Sequence, residues 1–488
     1  MPSPEFLAAF TERAKRHSDD DALVFHQQRI TYGQLADLVT SARARINALG
    51  VPAGAGVCVS ARKSPEAVAL IIACLAGNRR VLLPAADLGG DVLTTLCTVA
   101  SCSHVLTVAS GTVAVTQVVT GVDGPVGAAG LLLTTSGSTG VPKIVPIRPG
   151  GADSFMDWAI GQFGLGRGTT VLSYAPLNFD LSLLDVWASL RAGGRVVLAD
   201  QDRATDAGYL RGLFEHGIEV VQSVPMLYRL LSDDTGAVFD GVRHVVFTGD
   251  VTAPSLVRRL GAMFPRGRFY NLYGCTETND SFLHEIDLAR LRDTDRIPIG
   301  RPLPGVDALI LGTDGAVVDG AGAGELCVST PFQADGYLES WRDEGVFVPH
   351  PDPAAAGPRT YYRSGDIVTR RADGTVLLEG RNDFHVKVRG VRTNIAEVEQ
   401  VILEHPEVRE AVVVALPDEL AGARLHALVR REPGGALNTL VLRTHCAGKL
   451  PRTAIPSTLS IVEQPLPRTA TGKPDRNLIK QSSWKGKG

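Results

Sequence analysis

The chain has 488 residues, enough for two to four domains at about 100–200 residues each. Hydrophobic residues make up 44% of it and charged residues 21%. This composition excludes wholesale disorder, because a disordered chain combines low hydrophobicity with high net charge. The 49 basic and 52 acidic residues give a net charge of -3, so bulk charge does not favour nucleic acid as a partner.

Strand-like and helix-like segments alternate through the first part of the chain. The longest apolar run, residues 67–77, is shorter than the about 20 residues of a membrane span, so it predicts a buried helix and no membrane partner. Helix-like segments such as 205–216 and 254–263 separate several strand-like runs. The strand-like runs are 81–84, 105–109, 131–135, 195–199, 219–224 and 243–249. This alternation predicts an α/β fold with parallel-rich sheets flanked by helices.

The composition of the chain changes after about residue 295, where glycine and proline become frequent and strand-like runs become short. This pattern predicts a β-rich subdomain. The segment 380–390 follows a strand-turn unit and precedes a helix-like segment, as an interdomain hinge does. We therefore expect a large domain over 1–382, a small mobile α+β domain over 383–488, and a hinge near Asp383.

The seven cysteines are scattered and include no CxxC pair, which disfavours a zinc ribbon or a redox dithiol. The N-terminal residues lack the charged-then-apolar pattern of a secretory signal. Both observations predict a cytoplasmic protein with free thiols.

The strongest chemical signal is the segment 131–143, LLLTTSGSTGVPK, in which an apolar strand runs into a loop of glycines and hydroxyls followed by Lys143. Glycines let backbone N–H groups converge on an anion, the hydroxyls add donors, and Lys143 adds a positive charge. The segment differs from a Walker loop, since its lysine follows Val-Pro and Ile144 comes next. It predicts a polyphosphate cradle; the alternative is an ordinary glycine and serine turn.

This loop resembles the phosphate-binding signature of the adenylate-forming superfamily, which contains acyl-CoA synthetases, luciferases and the adenylation domains of peptide synthetases. Four further landmarks of that family occur in the same order along this chain. They are NLYGCTE (271–277), YRSGD (362–366), GRND (380–383) and TGK (471–473). The resemblance spans residues from about 5 to 480 and implies an AMP-forming ligase that uses ATP and Mg²⁺.

The resemblance also implies a role for individual residues in nucleotide binding. Asp366 would accept both ribose hydroxyls with support from Arg381, and Tyr273 would pack on adenine. The complete set implied for ATP is Thr135, Ser136, Gly137, Ser138, Thr139, Gly140, Lys143, Gly249, Asp250, Asn271, Tyr273, Gly274, Asp366 and Arg381.

Three residues would serve the chemical step itself. Lys473 would bridge the substrate carboxylate and the α-phosphate and stabilise the charge that develops in the transition state. Glu277 would hold Mg²⁺ through oxygen ligation, with Thr276 near the α-phosphate.

The segment 174–187, YAPLNFDLSLLDVW, resembles the substrate-gate motif of amino acid adenylation domains. In that subfamily an aspartate at the position of Asp180 binds the ammonium of the substrate, and a buried carboxylate needs such a cationic partner. Asp180 therefore favours an amino acid over a fatty or aryl acid. The alternative is that Asp180 caps the helix that follows it.

The acid pocket carried over from the family is mainly aliphatic, with a few small hydroxyls and no aromatic ring. Its members are Asp180, Leu181, Leu184, Ser223, Val246, Thr248, Leu272, Asp280 and Ser281, with Lys473 at the far end. Asp180, Leu181 and Leu184 resemble proline-activating members. Ser223, Thr248 and Asp280 depart from them. The pattern leaves open a small aliphatic, proline-like, hydroxylated, basic or β-amino acid.

Only 15 residues follow Lys473, and no phosphopantetheine attachment motif is visible. We therefore expect a stand-alone enzyme that loads a small amino acid onto the phosphopantetheine arm of a separate carrier protein, as in antibiotic biosynthesis. The first alternative is an acid–CoA ligase for a non-amino acid, which Asp180 disfavours. The second is a nucleotide-binding regulatory or scaffold protein that has lost catalysis. It is disfavoured by the intact set of Lys143, Glu277, Asp366 and Lys473.

Overall fold

Several helices of this protein begin at residues that supply capping groups. Thr31 and Gln34 form a reciprocal capping box at the start of the second helix, and the Ser64 hydroxyl accepts the Ala67 N–H at the start of the third. The computed structural model describes residues 3–109, 112–117, 130–135, 142–232, 236–352, 357–381, 385–432, 434–467 and 474–484.

The α-helices within these residues are α1 (Pro4–Arg16), α2 (Tyr32–Ala48), α3 (Pro65–Ala76), α4 (Gly90–Val99), α5 (Pro149–Phe163), α6 (Ser189–Ala192), α7 (Ala207–Gly212), α8 (Pro225–Ser232), α9 (Pro254–Met263), α10 (Ile395–Leu403), α11 (Thr439–Ala447) and α12 (Arg476–Trp484). A π-helix spans Leu183–Ala188, and short 3₁₀ segments span Gln201–Arg203, Leu213–His216, Ser340–Arg342 and Arg452–Ala454.

The strands are β1 (Asp21–Phe25), β2 (Gln28–Thr31), β3 (Gly56–Val59), β4 (Arg80–Leu83), β5 (Cys102–Ala109), β6 (Thr112–Gln117), β7 (Gly130–Thr135), β8 (Lys143–Ile147), β9 (Thr170–Ser173), β10 (Arg195–Leu198), β11 (Val220–Ser223), β12 (His244–Phe247), β13 (Arg268–Cys275), β14 (Asn279–Ile286), β15 (Arg301–Pro302), β16 (Asp307–Leu311), β17 (Gly322–Ser329), β18 (Phe347–Pro349), β19 (Thr360–Arg370), β20 (Val376–Arg381), β21 (His385–Val388), β22 (Val391–Asn394), β23 (Val408–Asp418), β24 (Gly422–Arg431) and β25 (Thr458–Val462).

The largest sheet of the described chain has the strand order β15-β14-β13-β12-β11-β9-β10-β1-β2. Its central strands, from β13 to β1, pair in parallel, and antiparallel strands flank them. A second sheet has the order β6-β5-β3-β4-β7-β8, with parallel pairing from β5 through β3 and β4 to β7. The predicted α/β class with parallel-rich sheets is confirmed.

The predicted apolar helix near 67–77 is α3, whose residues from Pro65 to Leu75 are almost all buried. Its side chains share one apolar cluster with strands of both sheets, for example with Val57 on β3 and Val196 on β10. This helix therefore forms a rigid part of the core beside the largest sheet.

The predicted β-rich subdomain is also confirmed. Strands β16, β17, β19 and β18 form an antiparallel sheet in that order, and β20 pairs with β19. Tyr273 and Phe282 of the largest sheet share an apolar cluster with Leu326 and Tyr362 of this one.

The chain divides into two compact units, one of Met1–Ala86, Cys97–Thr134 and Ile144–Asn382, and one of Asp87–Leu96, Thr135–Lys143 and Asp383–Gly488. Within the second unit, β23, β24 and β25 form a mixed sheet, and apolar residues of α10 and α11 share a core with it. The predicted boundary near Asp383 and the mobility of the small domain stay predictions.

The seven cysteines lie within the described residues and form no disulfide there. Among the described helices, none combines the length and the apolar content that crossing a lipid bilayer requires.

Candidate active site

Several of the residues predicted for the acid pocket lie where the parallel strands of the largest sheet end. Ser223 is the last residue of β11, and the Thr248 N–H, just after β12, donates to the Ser223 carbonyl at 3.0 Å. The register pairs Phe247 with Asn271, so Leu272 on β13 follows in the next row. In α/β sheets the carboxyl ends of the strands are the usual place for a ligand.

Three predicted aliphatic pocket residues, Leu184, Val246 and Leu272, are buried in one apolar cluster. The register pairs Val246 with Gln222, whereas Ser223 pairs with Phe247 of a different cluster. Because residues in one row of a sheet share a face, Gln222 lies on the Val246 face and Ser223 on the opposite one. Within the described residues, neither amide atom of the fully buried Gln222 has a hydrogen-bond partner. Gln222 is thus a further pocket candidate, and Ser223 stays a prediction.

Asp180 lies in the connection between β9 and the π-helix and is half-buried, as is Leu181. The Leu183 N–H donates to the Asp180 carbonyl at 2.8 Å. Ser182, just before the π-helix, has helical φ and ψ and makes no side-chain capping hydrogen bond, and both the ammonium role and the capping alternative for Asp180 stay predictions. Asp280 and Ser281 are buried at the start of β14, and the Ser281 hydroxyl donates to the Asn279 carbonyl at 3.2 Å.

Asp366 on β19 is a buried carboxylate held by two donors. The Arg381 guanidinium donates to its Oδ1 at 2.5 Å, and the Tyr273 hydroxyl donates to its Oδ2. Arg381 also donates to the Ser364 carbonyl at 2.8 Å. Burial and the negative charge of Asp366 raise the pKa of Tyr273 well above its usual value, which keeps the hydroxyl protonated. A carboxylate fixed in this way can accept further hydrogen bonds with its remaining lone pairs.

Glu277 lies in the turn between β13 and β14 and is almost fully buried. The Tyr337 hydroxyl donates to Glu277 Oε1 at 2.6 Å, and the Ala334 N–H donates to the Glu277 carbonyl at 2.9 Å. Tyr337 was not predicted from the sequence, since a lone tyrosine in a glycine-containing loop gives no periodic signal. Thr276 lies beside Glu277 in the same turn.

The turn also explains the glycine of the NLYGCTE motif. A Cβ at Gly274 would lie 2.3 Å from the Asn279 carbonyl oxygen, so a larger residue would displace the backbone of β14. Asn271, four residues before the end of β13, donates from its side chain to the Pro298 carbonyl at 2.7 Å. Gly249 and Asp250 follow β12, and Gly249 has a φ of 79°.

Of the residues predicted for the phosphate loop, the first and the last are described: Thr135 ends β7 and Lys143 begins β8. Ser136, Gly137, Ser138, Thr139, Gly140, Asp383 and Lys473 lie outside the described residues.

Comparisons with known proteins identify the family. The sequence matches the model of the AMP-binding enzyme family over residues 10–129 and 128–338, and that of the AMP-binding enzyme C-terminal domain over 397–473. An L-proline–[L-prolyl-carrier protein] ligase of Pseudomonas fluorescens is 34% identical over 349 residues, which cover 71% of this chain and 67% of the relative. A ligase of the same name from Streptomyces coelicolor is 30% identical over 521 residues, covering 97% of this chain and 96% of the relative.

The fold is similar to that of the Vibrio cholerae adenylation domain AlmE, solved in complex with glycyl-adenosine-5'-phosphate. The TM-score is 0.83 at 22% identity, and the match covers 99% of this chain and 97% of the other. The chain therefore belongs to the AMP-binding enzyme family, the adenylate-forming superfamily whose motifs its sequence carries, and is an AMP-forming ligase.

Proposed function

We propose that the chain activates an amino acid with ATP to give aminoacyl-AMP and then transfers the aminoacyl group to the phosphopantetheine thiol of a separate carrier protein. The observation that carries this proposal is the 30% identity to the Streptomyces coelicolor ligase over almost the full length of both chains. The buried Glu277 and the hydrogen-bonded Asp366 carboxylate support it.

Both steps have a simple atomic balance. A carboxylate oxygen of the amino acid attacks the α-phosphorus of ATP, the bond from that phosphorus to the bridging oxygen breaks, and pyrophosphate leaves. The thiol of the carrier then loses its proton and attacks the carbonyl carbon of the adenylate, and AMP leaves as the thioester forms.

Asp366 fits the ribose role, because Tyr273 and Arg381 fix its carboxylate without any contribution from the nucleotide. Glu277 fits a Mg²⁺ role, because Mg²⁺ is usually held by one or two carboxylates together with substrate phosphates. When bound, Mg²⁺ would neutralise part of the phosphate charge. Tyr337 would hold the Glu277 carboxylate in its orientation.

Asp180 would bind the substrate ammonium, and the cluster of Leu184, Val246 and Leu272 would contact an apolar substrate side chain. L-Proline is the first candidate, since two relatives carry it in their names. Gln222 and Thr248 add polar groups at the same edge of the sheet, so hydroxylated derivatives of proline belong in the same test.

The test is ATP–pyrophosphate exchange with a panel of amino acids and their analogues that lack the amino group, followed by mass measurement of a phosphopantetheinylated carrier protein. We expect exchange with a small amino acid and a mass increase of the carrier. Exchange confined to acids without an amino group would instead support an acid–CoA ligase. Absence of exchange with every acid would contradict both.

Replacing Asp180 by asparagine should raise the KM for the amino acid by about ten- to a hundredfold, since a hydrogen bond to a charged group contributes about 1.5–3 kcal/mol. The KM for ATP should stay close to the wild-type value, because Asp180 does not bind the nucleotide. Asp293→Asn is the control, since Asp293 is an exposed carboxylate that pairs with Arg258 at 3.3 Å. An unchanged amino acid KM in Asp180→Asn would refute the ammonium role.

Replacing Tyr337 by phenylalanine should lower the exchange rate at limiting Mg²⁺ by about tenfold, because the Glu277 carboxylate loses a hydrogen bond that fixes it. Excess Mg²⁺ should recover part of the rate. Tyr361→Phe is the matched control, since the Tyr361 hydroxyl donates to Asp307 at 2.6 Å and makes no contact with Glu277 among the described hydrogen bonds. An identical Mg²⁺ dependence in the Tyr337 variant and the wild type would contradict this role.

A further inference from the structure

Lys63 is a buried lysine in the connection between β3 and α3, with 4% of its surface exposed. Its Nζ donates to three consecutive main-chain carbonyls just where β9 ends: Ser173 at 2.5 Å, Tyr174 at 3.0 Å and Ala175 at 2.9 Å. Three acceptors need three hydrogens, which an ammonium has and a neutral amine lacks. The contacts therefore identify Lys63 as a buried cation.

Asp185 of the π-helix supplies an opposite charge to this cation. Its side chain is fully buried, and the attraction between Lys63 and Asp185 favours the charged form of each. Burial works against both charges, because it lowers the pKa of Lys63 and raises the pKa of Asp185. Burying these two charged groups costs folding free energy that an apolar pair of similar size would not cost.

The main-chain contacts of Lys63 lie just before Asp180 along the chain, and Asp185, whose charge attracts that of Lys63, lies just after it. Tyr174 and Ala175 precede Asp180 by six and five residues, and Asp185 follows it by five. Between them, the Phe179 N–H donates to the Pro176 carbonyl at 3.1 Å. The Leu183 N–H donates to the Asp180 carbonyl at 2.8 Å. Lys63 therefore holds the start of this segment by hydrogen bonds and attracts the opposite charge at its far end.

Lys63 is itself held rigidly. It directly precedes Ser64, the N-cap of α3, and α3 is buried along its length. Because α3 is packed in the core, Lys63 cannot move with the loop that it binds. Any movement of that loop would therefore break the hydrogen bonds from Lys63.

We propose that Lys63 is a positioning residue for amino acid binding, which holds the segment from Tyr174 to Asp185 so that Asp180 meets the substrate ammonium. The proposal rests on the proposed role of Asp180. In this positioning role, Lys63 contacts none of the reacting atoms. A purely structural lysine would affect the amount of folded enzyme, whereas a positioning lysine also changes the KM for the amino acid.

Arg79 offers a matched control at the other end of the same helix. It is buried to a similar extent and donates to the main-chain carbonyls of Val51 at 2.6 Å and Pro52 at 3.1 Å. Lys63→Met and Arg79→Met thus each remove a buried cation that binds carbonyls. We expect both to lower the melting temperature, but only Lys63→Met to raise the amino acid KM, by about tenfold, at an almost unchanged KM for ATP.

The outcomes separate this proposal from the role of Asp180. If Lys63 acts through Asp180, then Lys63→Met should add little to the KM of an Asp180→Asn enzyme, because the two effects share one cause. Full additivity, or a Lys63→Met enzyme with a wild-type amino acid KM, would overturn the proposal for Lys63. A wild-type KM in Asp180→Asn alone would overturn the ammonium role instead.

A second variant decides the matter if Lys63→Met does not fold. Asp185→Asn keeps the shape of the side chain and the three carbonyl contacts of Lys63 but removes the opposing charge. We expect an amino acid KM raised by about threefold, with the KM for ATP unchanged. Equal changes in both constants, or no change in either, would contradict the proposal.

Discussion

Replacing Lys473 by alanine should lower ATP–pyrophosphate exchange by about 10²- to 10³-fold, the loss typical of a group that stabilises transition-state charge. The physical reason is electrostatic, since the substrate carboxylate and the α-phosphate are both anions and repel each other as they approach. The measurement is exchange at saturating ATP and amino acid, so that the change is in the rate of the chemical step.

The same variant should form thioester from chemically prepared aminoacyl-AMP at close to the wild-type rate. In that second step the thiol attacks a carbonyl carbon. The repulsion between a free carboxylate and the α-phosphate is then absent, so Lys473 is not needed to offset it. Lys480→Ala is the control, since Lys480 is an exposed lysine on α12. Equal losses in both half-reactions would refute the assignment of Lys473 to adenylation.

The strands and helices of the large sheet were predictable because their signals are local. The runs 219–224 and 243–249 became β11 and β12, and the segment 254–263 became α9. The order of the strands was not predictable in the same way. β9 lies between β11 and β10, an arrangement set by packing between distant segments rather than by any local pattern.

The motif residues could be identified from their order along the chain, whereas the contacts of their side chains could not. Asp366 and Arg381 pair across β19 and β20, in accord with the expected support of one by the other. Tyr273 was expected to pack on adenine, and its hydroxyl binds Asp366, which is 93 residues away in sequence. Its role toward adenine stays a prediction.

The residues that sequence analysis missed are single polar groups without a repeating pattern. Gln222 is distinguished from Ser223 only by the register of β11 against β12. Lys63 binds carbonyls 110 to 112 residues away, a relation that no local spacing encodes. Such contacts become visible only when the chain is folded.

Replacing Asp366 by asparagine should raise the KM for ATP by about ten- to a hundredfold, because charge-assisted hydrogen bonds to the ribose contribute about 1.5–3 kcal/mol each. The variant also leaves the Arg381 cation without its carboxylate, so a loss of stability is expected whatever the role of Asp366. A lower melting temperature therefore does not test ribose binding, and a second readout is needed.

Deoxynucleotides supply that readout. The wild-type enzyme should use 2'-deoxy-ATP or 3'-deoxy-ATP less well than ATP, and Asp366→Asn should lose most of this discrimination, because the group that reads the missing hydroxyl is changed. Asp307 provides the control, since it also accepts hydrogen bonds from a tyrosine and an arginine: Tyr361 at 2.6 Å and Arg359 at 2.8 Å. Asp307→Asn should keep the wild-type preference for ATP. If Asp366→Asn also keeps it, Asp366 supports the fold of the β-rich sheet and another residue binds the ribose.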